Sequence, residues 1–179
     1  MRNLETIGLV DTPRQACAQG RAHQINISRG GVPKLPVDTA QVTPEGVTGD
    51  YHNDVHNHGG PLQAVCLYSL EQIDRLASQG HPIYPGATGE NVTVSGIPLE
   101  LLIPGAQVRI GTEVVLEITG YTTPCNTIAD AFSDGDFTRI SQKLHPHQGR
   151  VYARVIHGGA IRQGDKVVVS AAREPERTE

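Results

Sequence analysis

The stretch 114-VVLEITGYTTPCNTIADAF-132 carries the clearest local pattern in the chain. Its first residues alternate with a period of two, so that Val114, Leu116 and Ile118 share one face. This is the pattern of a half-buried β-strand. The alternation stops at Gly120, and Cys125 follows a proline after the strand has ended. The stretch therefore predicts a strand that opens into a loop carrying a thiol.

Short strands joined by tight turns are predicted for most of the chain. The 20 Gly and 12 Pro among 179 residues are spread along its length, as expected for many short elements separated by turns. Strands are predicted over residues 4–10, 21–27, 38–43, 64–68, 90–94, 106–111, 113–119, 150–157 and 165–170. Many strands with few helices favour a mainly β fold, a closed or partly closed barrel, because closure leaves no long bare sheet edge.

Two segments are predicted to be helical. Ser69 is placed as the N-cap of the first, and Gln72 three residues later completes a capping-box pattern. An apolar stripe runs from Leu70 onward, and Gly80 is placed to end the helix. The second segment, 126–144, has apolar residues at roughly helical spacing.

Composition limits the classes of protein and partner. With 37% hydrophobic and 19% charged residues, and no repeat or linker, the chain is predicted to be a single domain, 1–179. The net charge of −4 and pI of about 6.0 provide no basic field for nucleic acid or an anionic membrane. No signal peptide or membrane-spanning run is evident, so we expect a cytoplasmic protein with neither nucleic acid nor membrane as a partner.

The three cysteines, Cys17, Cys66 and Cys125, form no CxxC pair. This argues against a disulfide framework and against a four-thiolate zinc or iron–sulfur site. Cys66 lies in an apolar run and is predicted to be buried. Cys125 precedes a helix-like segment, whose first N–H groups would favour a thiolate, a nucleophile and a soft metal ligand. Its position alone leaves core filling and reactivity equally open.

A polar cluster lies in 50-DYHNDVHNHGG-60, with Asp50 and Asp54 among its residues. Its histidines are His52, His56 and His58. Imidazoles and carboxylates can bind zinc, but HxxxHxH is not a strong zinc motif, so a solvated polar loop is the alternative. Gly59 and Gly60 would let an anion approach the backbone closely.

A second polar cluster lies in 84-YPGATGENVTV-94, where Glu90 and Asn91 come at the start of a predicted strand. One interpretation is a simple turn in which Asn91 hydrogen-bonds to its own backbone. The other is a buried carboxylate and amide that face a pocket. Spacing does not decide between them.

Several motifs occur together in one order. They are RGGVPK (29–34), VTGD (47–50), HGGPLQAV (58–65), PGATGENVTV (85–94), LIPGAQVRIG (102–111), TTPC (122–125) and GRVYARVIHGGAIRQGD (149–165). This ordered series resembles the MOSC domain, which is named from the C-terminal domain of molybdenum-cofactor sulfurases. The resemblance covers about residues 20–170, nearly the whole chain, and suits a small stand-alone bacterial member.

The resemblance implies a MOSC-type, pyruvate-kinase-like β-barrel with a few short helices. It also implies a site for the molybdenum cofactor (molybdopterin), with Cys125 as the catalytic cysteine that ligates molybdenum or holds sulfur. By analogy, the pocket would be lined by His58, Gly59, Gly60, Glu90 and Asn91. Arg29 and Lys34 would contact the anionic pterin phosphate, which suits a guanidinium and an ammonium.

The function implied is reduction of N-hydroxylated substrates, as in small bacterial reductases of N-hydroxylated bases and in mitochondrial amidoxime-reducing proteins. Too few cysteines are present for an iron–sulfur cluster, so a separate redox partner protein is expected. Pyridoxal phosphate is not expected, because the sulfurase's desulfurase domain is absent. The alternatives are a sulfur carrier or cofactor-delivery module with a persulfide on Cys125, a divalent-metal protein centred on the three histidines, and a barrel without cofactor.

One residue departs from the family pattern. Some molybdenum-binding relatives have an arginine three residues before the cysteine, where this chain has Thr122. A contact with the anionic cofactor is therefore either missing or supplied by another residue. Arg139, Lys143 and Arg150 are the candidates.

Overall fold

The fold was taken from a computed structural model that describes residues 15–51 and 60–172. Its strands are β1 (Ala16–Ile27), β2 (Leu35–Val37), β3 (Thr39–Thr43), β4 (Gly46–Val47), β5 (Val65–Ser69), β6 (Val92–Ser95), β7 (Gln107–Ile110), β8 (Val114–Tyr121), β9 (Val151–His157), β10 (Gly159–Arg162) and β11 (Lys166–Ser170). Within the described residues, the α-helix is α1 (Leu70–Ser78), and 3-10 helices cover Pro61–Gln63, Leu99–Leu101, Asn126–Ala131 and Phe137–Ile140.

Seven of the described strands close into a barrel, which confirms the predicted fold class. Around the barrel the order is β1, β6, β5, β9, β8, β7 and β11, and β11 pairs back onto β1. Neighbours are antiparallel except β5 and β6, which are parallel and are connected through α1. β2 extends the sheet beside β1, and β10, β3 and β4 form a second, three-stranded sheet.

The barrel interior is filled by the aliphatic side chains that the alternating patterns predict. On β8, Val114, Leu116 and Ile118 are at most 1% exposed, and they meet the inward residues of the flanking strands. Burying an aliphatic side chain of this size contributes about 1.5–3 kcal/mol before the conformational entropy cost is counted. The opening stretch of the sequence therefore does form a strand of the barrel wall.

Helix α1 begins and ends as predicted, with one difference at its N-terminus. The Ser69 hydroxyl accepts the Gln72 N–H at 3.3 Å, and Gly80 follows the helix with φ of 92°. Gln72 does not complete a capping box, since its amide oxygen accepts from the Arg75 side chain. Glu71 instead accepts the Ser69 hydroxyl at 2.9 Å, and so links the start of the helix to its cap.

The prediction of one helix over 126–144 is wrong. The segment holds two short 3-10 helices, Asn126–Ala131 and Phe137–Ile140, separated by a turn. Asp134 accepts the Asp136 N–H at 3.1 Å, and Asp136 accepts the Thr138 N–H at 3.1 Å. Short polar side chains that bond to nearby backbone in this way compete with a continuous helix.

The remaining differences concern short or undescribed segments. β2, β4 and β10 were not predicted as separate strands, because they are only two to four residues long. The strand predicted over 4–10 lies outside the described residues. Within the part of the chain that the structure describes, no helix combines the length and apolar character needed to cross a bilayer.

Candidate functional site

A cavity of about 730 Å³ lies where β5, β8 and β9 meet the loop 31–34, the turn 88–91 and the segment 123–128. This volume is typical of a small-molecule or cofactor site. The described residues that line it are Gly31, Val32, Lys34, Tyr51, Gln63, Cys66, Thr88, Gly89, Asn91, Tyr121, Thr123, Cys125, Thr127, Ile128, Arg150 and Tyr152. Its buried lining residues form the floor, and exposed ones such as Tyr51 form the mouth.

Cys125 faces this cavity. The residue is partly exposed and lies in extended backbone (φ −138°, ψ 173°) immediately before the 3-10 helix Asn126–Ala131. Its thiol points toward the Thr127 hydroxyl at 3.3 Å, and both residues line the cavity. The thiol is therefore not core filling, and reagents or ligands in the cavity can reach it.

A second thiol and a phenol belong to the cavity wall. Cys66 on β5 and Tyr152 on β9 are direct cross-strand partners, so their side chains lie on one face. Burial raises the pKa of the Cys66 thiol to about 11. Burial, followed by the influence of Cys66, raises the pKa of Tyr152 to about 12. Both groups therefore carry their protons at neutral pH.

A buried ion pair supports one side of the cavity. Lys34 Nζ lies 2.5 Å from Asp50 Oδ2, and the exposed fractions of the two side chains are 6% and 3%. Asp50 also accepts the Ser28 N–H at 2.8 Å through its other oxygen. The Lys34 N–H donates to the Gly86 carbonyl at 2.9 Å, which ties the loop to the 84–91 turn. Lys34 is thus held at the wall with its charge compensated.

Asn91 lines the cavity and joins three elements. Its Oδ1 accepts the Cys66 N–H at 3.0 Å, and its Nδ2 donates to Asp50 Oδ2 at 2.8 Å and to the Asn26 carbonyl at 3.4 Å. The amide therefore links β5, β1 and the Lys34–Asp50 ion pair to the turn that carries Asn91. Of the two interpretations of this residue, the buried amide at a pocket describes the structure.

Glu90 has a different place from its neighbour. It is completely buried and is not among the residues that line the cavity. Its carboxylate accepts the Gly86 N–H at 2.7 Å, the Thr88 hydroxyl at 2.8 Å and the Thr93 hydroxyl at 3.0 Å. It therefore fixes the turn that carries Thr88 and Asn91 to the cavity.

Of the three candidates for a replacement cation, only Arg150 lines the cavity. Arg139 pairs with Asp134 near the surface, and Lys143 is exposed. Arg150 is 8% exposed, donates from Nη1 to the Thr88 carbonyl, and has no hydrogen-bond partner at Nε. The strand pattern of 149-GRVYARV-155 places Arg150 and Tyr152 on one face, and this signal could have identified both from the sequence.

The other predicted site residues either do not line the cavity or lie outside the described residues. Arg29 and Gly60 are exposed and are absent from the residues lining it. His52, Asp54, His56, His58 and Gly59 lie outside the described residues. In the described ranges, 15–51 and 60–172, no group of three His, Cys, Asp or Glu side chains could hold a metal ion. No carboxylate occurs among the described lining residues either.

Comparison with known proteins identifies the relatives of this chain. The family model described as the MOSC domain matches residues 54–168. The chain is 31% identical over 138 residues to YflK of Bacillus subtilis, which is described as uncharacterized. The match covers 75% of this chain and spans 60% of the length of that relative.

Solved structures show the same fold at lower sequence identity. The YuaD protein of Bacillus subtilis superposes with a TM-score of 0.71 at 20% identity, over 87% of this chain and 97% of that one. YiiM of Geobacillus stearothermophilus gives 0.67 at 22% identity, over 84% and 74%. YiiM of Escherichia coli gives 0.65 at 18% identity, over 87% and 72%.

Proposed function

The chain belongs to the MOSC domain family, and on this premise we propose that it binds a molybdenum cofactor (molybdopterin) and reduces N-hydroxylated substrates. Electrons come from a separate redox protein in this proposal. The observation that carries it is the accessible Cys125 thiol facing a cavity of about 730 Å³ whose described lining includes two cationic side chains and no carboxylate. The three cysteines are unpaired, which supports the cytoplasmic location that we also propose.

The residues present fit such a cofactor. Since no three-ligand group occurs in the described part of the chain, a lone Cys125 thiolate suits a metal that arrives with ligands of its own. The unpartnered Nε of Arg150 suits an anionic cofactor, and the Lys34 ammonium lines the same cavity with its charge compensated by Asp50. Gly89 keeps space open, because a Cβ there would lie 2.9 Å from Val32 Cγ1 and 3.8 Å from Arg150 Nη1.

Each of these residues has a separate part in the proposal. Cys125 Sγ would ligate molybdenum, and Arg150 and Lys34 would face the anionic portion of the cofactor. Asn91 and Glu90 keep the turn and the wall in place through the hydrogen bonds described above. When bound, the cofactor supplies the two-electron chemistry at the N–O bond, and the protein positions and tunes it.

The reaction also consumes protons, and a phenol of the cavity wall can assist the departing oxygen. Converting an N–OH group to N–H takes two electrons and two protons and releases one water. Tyr152 lines the cavity, and burial raises its pKa to about 12, so its phenol stays protonated at neutral pH but is a weaker acid than a free phenol. We therefore propose that the Tyr152 hydroxyl donates a hydrogen bond to the departing oxygen, while both protons come from solvent.

The test is an activity assay on protein made in a host that synthesises molybdenum cofactor. Reduced viologen supplies electrons, and conversion of an N-hydroxylated base to its parent base is followed by chromatography. We expect turnover by the unmodified protein and by Cys17→Ser, whose cysteine is exposed and does not line the cavity. Cys125→Ser should be inactive. Equal turnover by Cys125→Ser and the unmodified protein would refute the proposal.

A second function is favoured by the same isolated thiol. Cys125 is accessible and, within the described residues, is not part of a metal-binding cluster, which is also the arrangement that a sulfur carrier needs. In that role Cys125 would hold a persulfide received from a separate sulfur donor and pass its outer sulfur to an acceptor. Mass spectrometry of the native protein distinguishes the two functions, because a persulfide adds one sulfur to the Cys125 peptide and is removed by a thiol reductant.

A further inference from the structure

The cavity wall contains a buried guanidinium that forms no direct ion pair with a carboxylate of the described residues, although the buried Glu90 carboxylate bonds to the same turn through Thr88. Arg150 is 8% exposed and lines the cavity. The contact described for it is a hydrogen bond from Nη1 to the Thr88 carbonyl, and Nε has no partner. Arginine side chains buried to this degree are normally paired, because an uncompensated buried charge is costly.

We propose that Arg150 is the principal binding residue for an oxyanion of the phosphate type. The inference deepens the proposed function and rests on it for the identity of the natural ligand. It fixes the orientation of that ligand, with its anionic group at the floor of the cavity and its reactive end toward Cys125.

The backbone that carries Arg150 is fixed by the strand opposite. Tyr121 on β8 pairs with Val151 on β9, so Thr122 and Arg150 are the next opposed pair. Their backbones are joined by a hydrogen bond from the Thr122 N–H to the Arg150 carbonyl at 3.0 Å. The Arg150 side chain therefore enters the cavity from backbone that the barrel wall holds in place.

Lys34 and Arg29 are less suited to this role. The Lys34 ammonium is 2.5 Å from the buried Asp50 carboxylate, which largely cancels its field. Arg29 is exposed and does not line the cavity. By contrast, the positive charge of Arg150 acts on both Cys66 and Tyr68. Burial raises the pKa of each of these residues, and Arg150 is the largest influence that works against the rise. Its positive charge is therefore felt along the cavity wall.

The test titrates cofactor-free, full-length protein with inorganic phosphate, and separately with tungstate, by isothermal titration calorimetry. We expect the unmodified protein to bind phosphate and Arg150→Gln to bind it at least tenfold more weakly, since the charge-assisted hydrogen bonds are lost. Arg150→Lys keeps the charge but loses the planar fork, and should fall between the two. Arg154→Gln is the matched control, because Arg154 lies on β9, which begins directly after Arg150 in the chain, is exposed and pairs with Glu117; it should bind as the unmodified protein does.

Two results would overturn the inference: no phosphate binding by the unmodified protein, or equal binding by the unmodified protein and both Arg150 variants. Circular dichroism and thermal unfolding test whether each variant is folded. If Arg150→Gln does not fold, Arg150→Lys provides the comparison. Molybdenum content is measured separately. Phosphate binding that depends on Arg150, in a protein that never acquires molybdenum, would support the anion-binding role of Arg150 and refute the proposed reductase. Molybdenum binding together with phosphate binding that does not depend on Arg150 would support the reductase and refute the anion-binding role.

Discussion

Removing one partner of the buried Lys34–Asp50 ion pair should lower the free energy of unfolding by a large amount. Asp50→Asn removes the carboxylate charge and leaves the Lys34 ammonium, which is 6% exposed, without its counter-charge. Removing one partner of a buried ion pair costs about 3–5 kcal/mol, because the other charge stays buried and uncompensated. At about 2–4 °C per kcal/mol for a protein of this size, the melting temperature should fall by roughly 6–20 °C.

The assay is thermal and urea unfolding of four proteins followed by circular dichroism. Besides the unmodified protein and Asp50→Asn, it uses the double variant Lys34→Met with Asp50→Asn. Removing the stranded ammonium should recover part of the loss, so the double variant should be more stable than Asp50→Asn alone. Glu117→Gln is the control, since the side chains of its pair with Arg154 are 47% and 20% exposed, and the change should therefore cost less than Asp50→Asn does.

The reasoning fails if Asp50→Asn is no more destabilising than Glu117→Gln. It fails equally if the double variant is less stable than Asp50→Asn, because the buried ammonium would then not be the source of the cost. A loss in Asp50→Asn that the double variant partly reverses is the pattern that the geometry requires.

Three further predictions concern the cavity wall. Iodoacetamide at pH 8 should modify Cys17 and Cys125 in the folded protein but not Cys66, which is 5% exposed and has a pKa of about 11. The thiol of Cys66 ionises near pH 9 in the unfolded chain, so the free energy of unfolding should fall by ~3 kcal/mol between about pH 9 and 11 because of this group. The fall should be smaller in Cys66→Ala. Tyr152→Phe should retain molybdenum but lower kcat about tenfold, because the hydrogen bond to the departing oxygen is lost, whereas unchanged kcat would exclude a role for the phenol. Gly89→Ala should destabilise by about 1–2 kcal/mol in urea unfolding, because φ is +87° and the added Cβ would crowd the loop; unchanged stability would contradict this.

Features set by local pattern were predicted correctly from the sequence. β8 follows from its alternation, and α1 follows from its cap and apolar stripe, because neighbouring residues determine both. The strand-to-loop position of Cys125 follows from β8 in the same way. The barrel as a whole required the order of motifs, since no single segment determines which strands pair.

The features that sequence reasoning missed depend on contacts between distant segments. Asn91 and Glu90 are adjacent in sequence, yet one lines the cavity and the other is enclosed by its own turn. The Lys34–Asp50 pair joins residues on either side of the β3–β4 hairpin, and spacing does not reveal it. The predicted helix over 126–144 failed because the Asp134 and Asp136 side chains bond to the local backbone there. Sequence left Arg150 as one of three candidates, which only the fold separates.

The most direct test of the central proposal is the molybdenum content of the purified protein. Unmodified protein, Cys17→Ser and Cys125→Ser are made in the same cofactor-producing host and analysed by inductively coupled plasma mass spectrometry. The account predicts close to one molybdenum per chain in the first two and a loss of at least tenfold in Cys125→Ser. Molybdenum absent from all three, or equal in all three, would contradict the assignment of Cys125 as the ligand that this barrel offers to the metal.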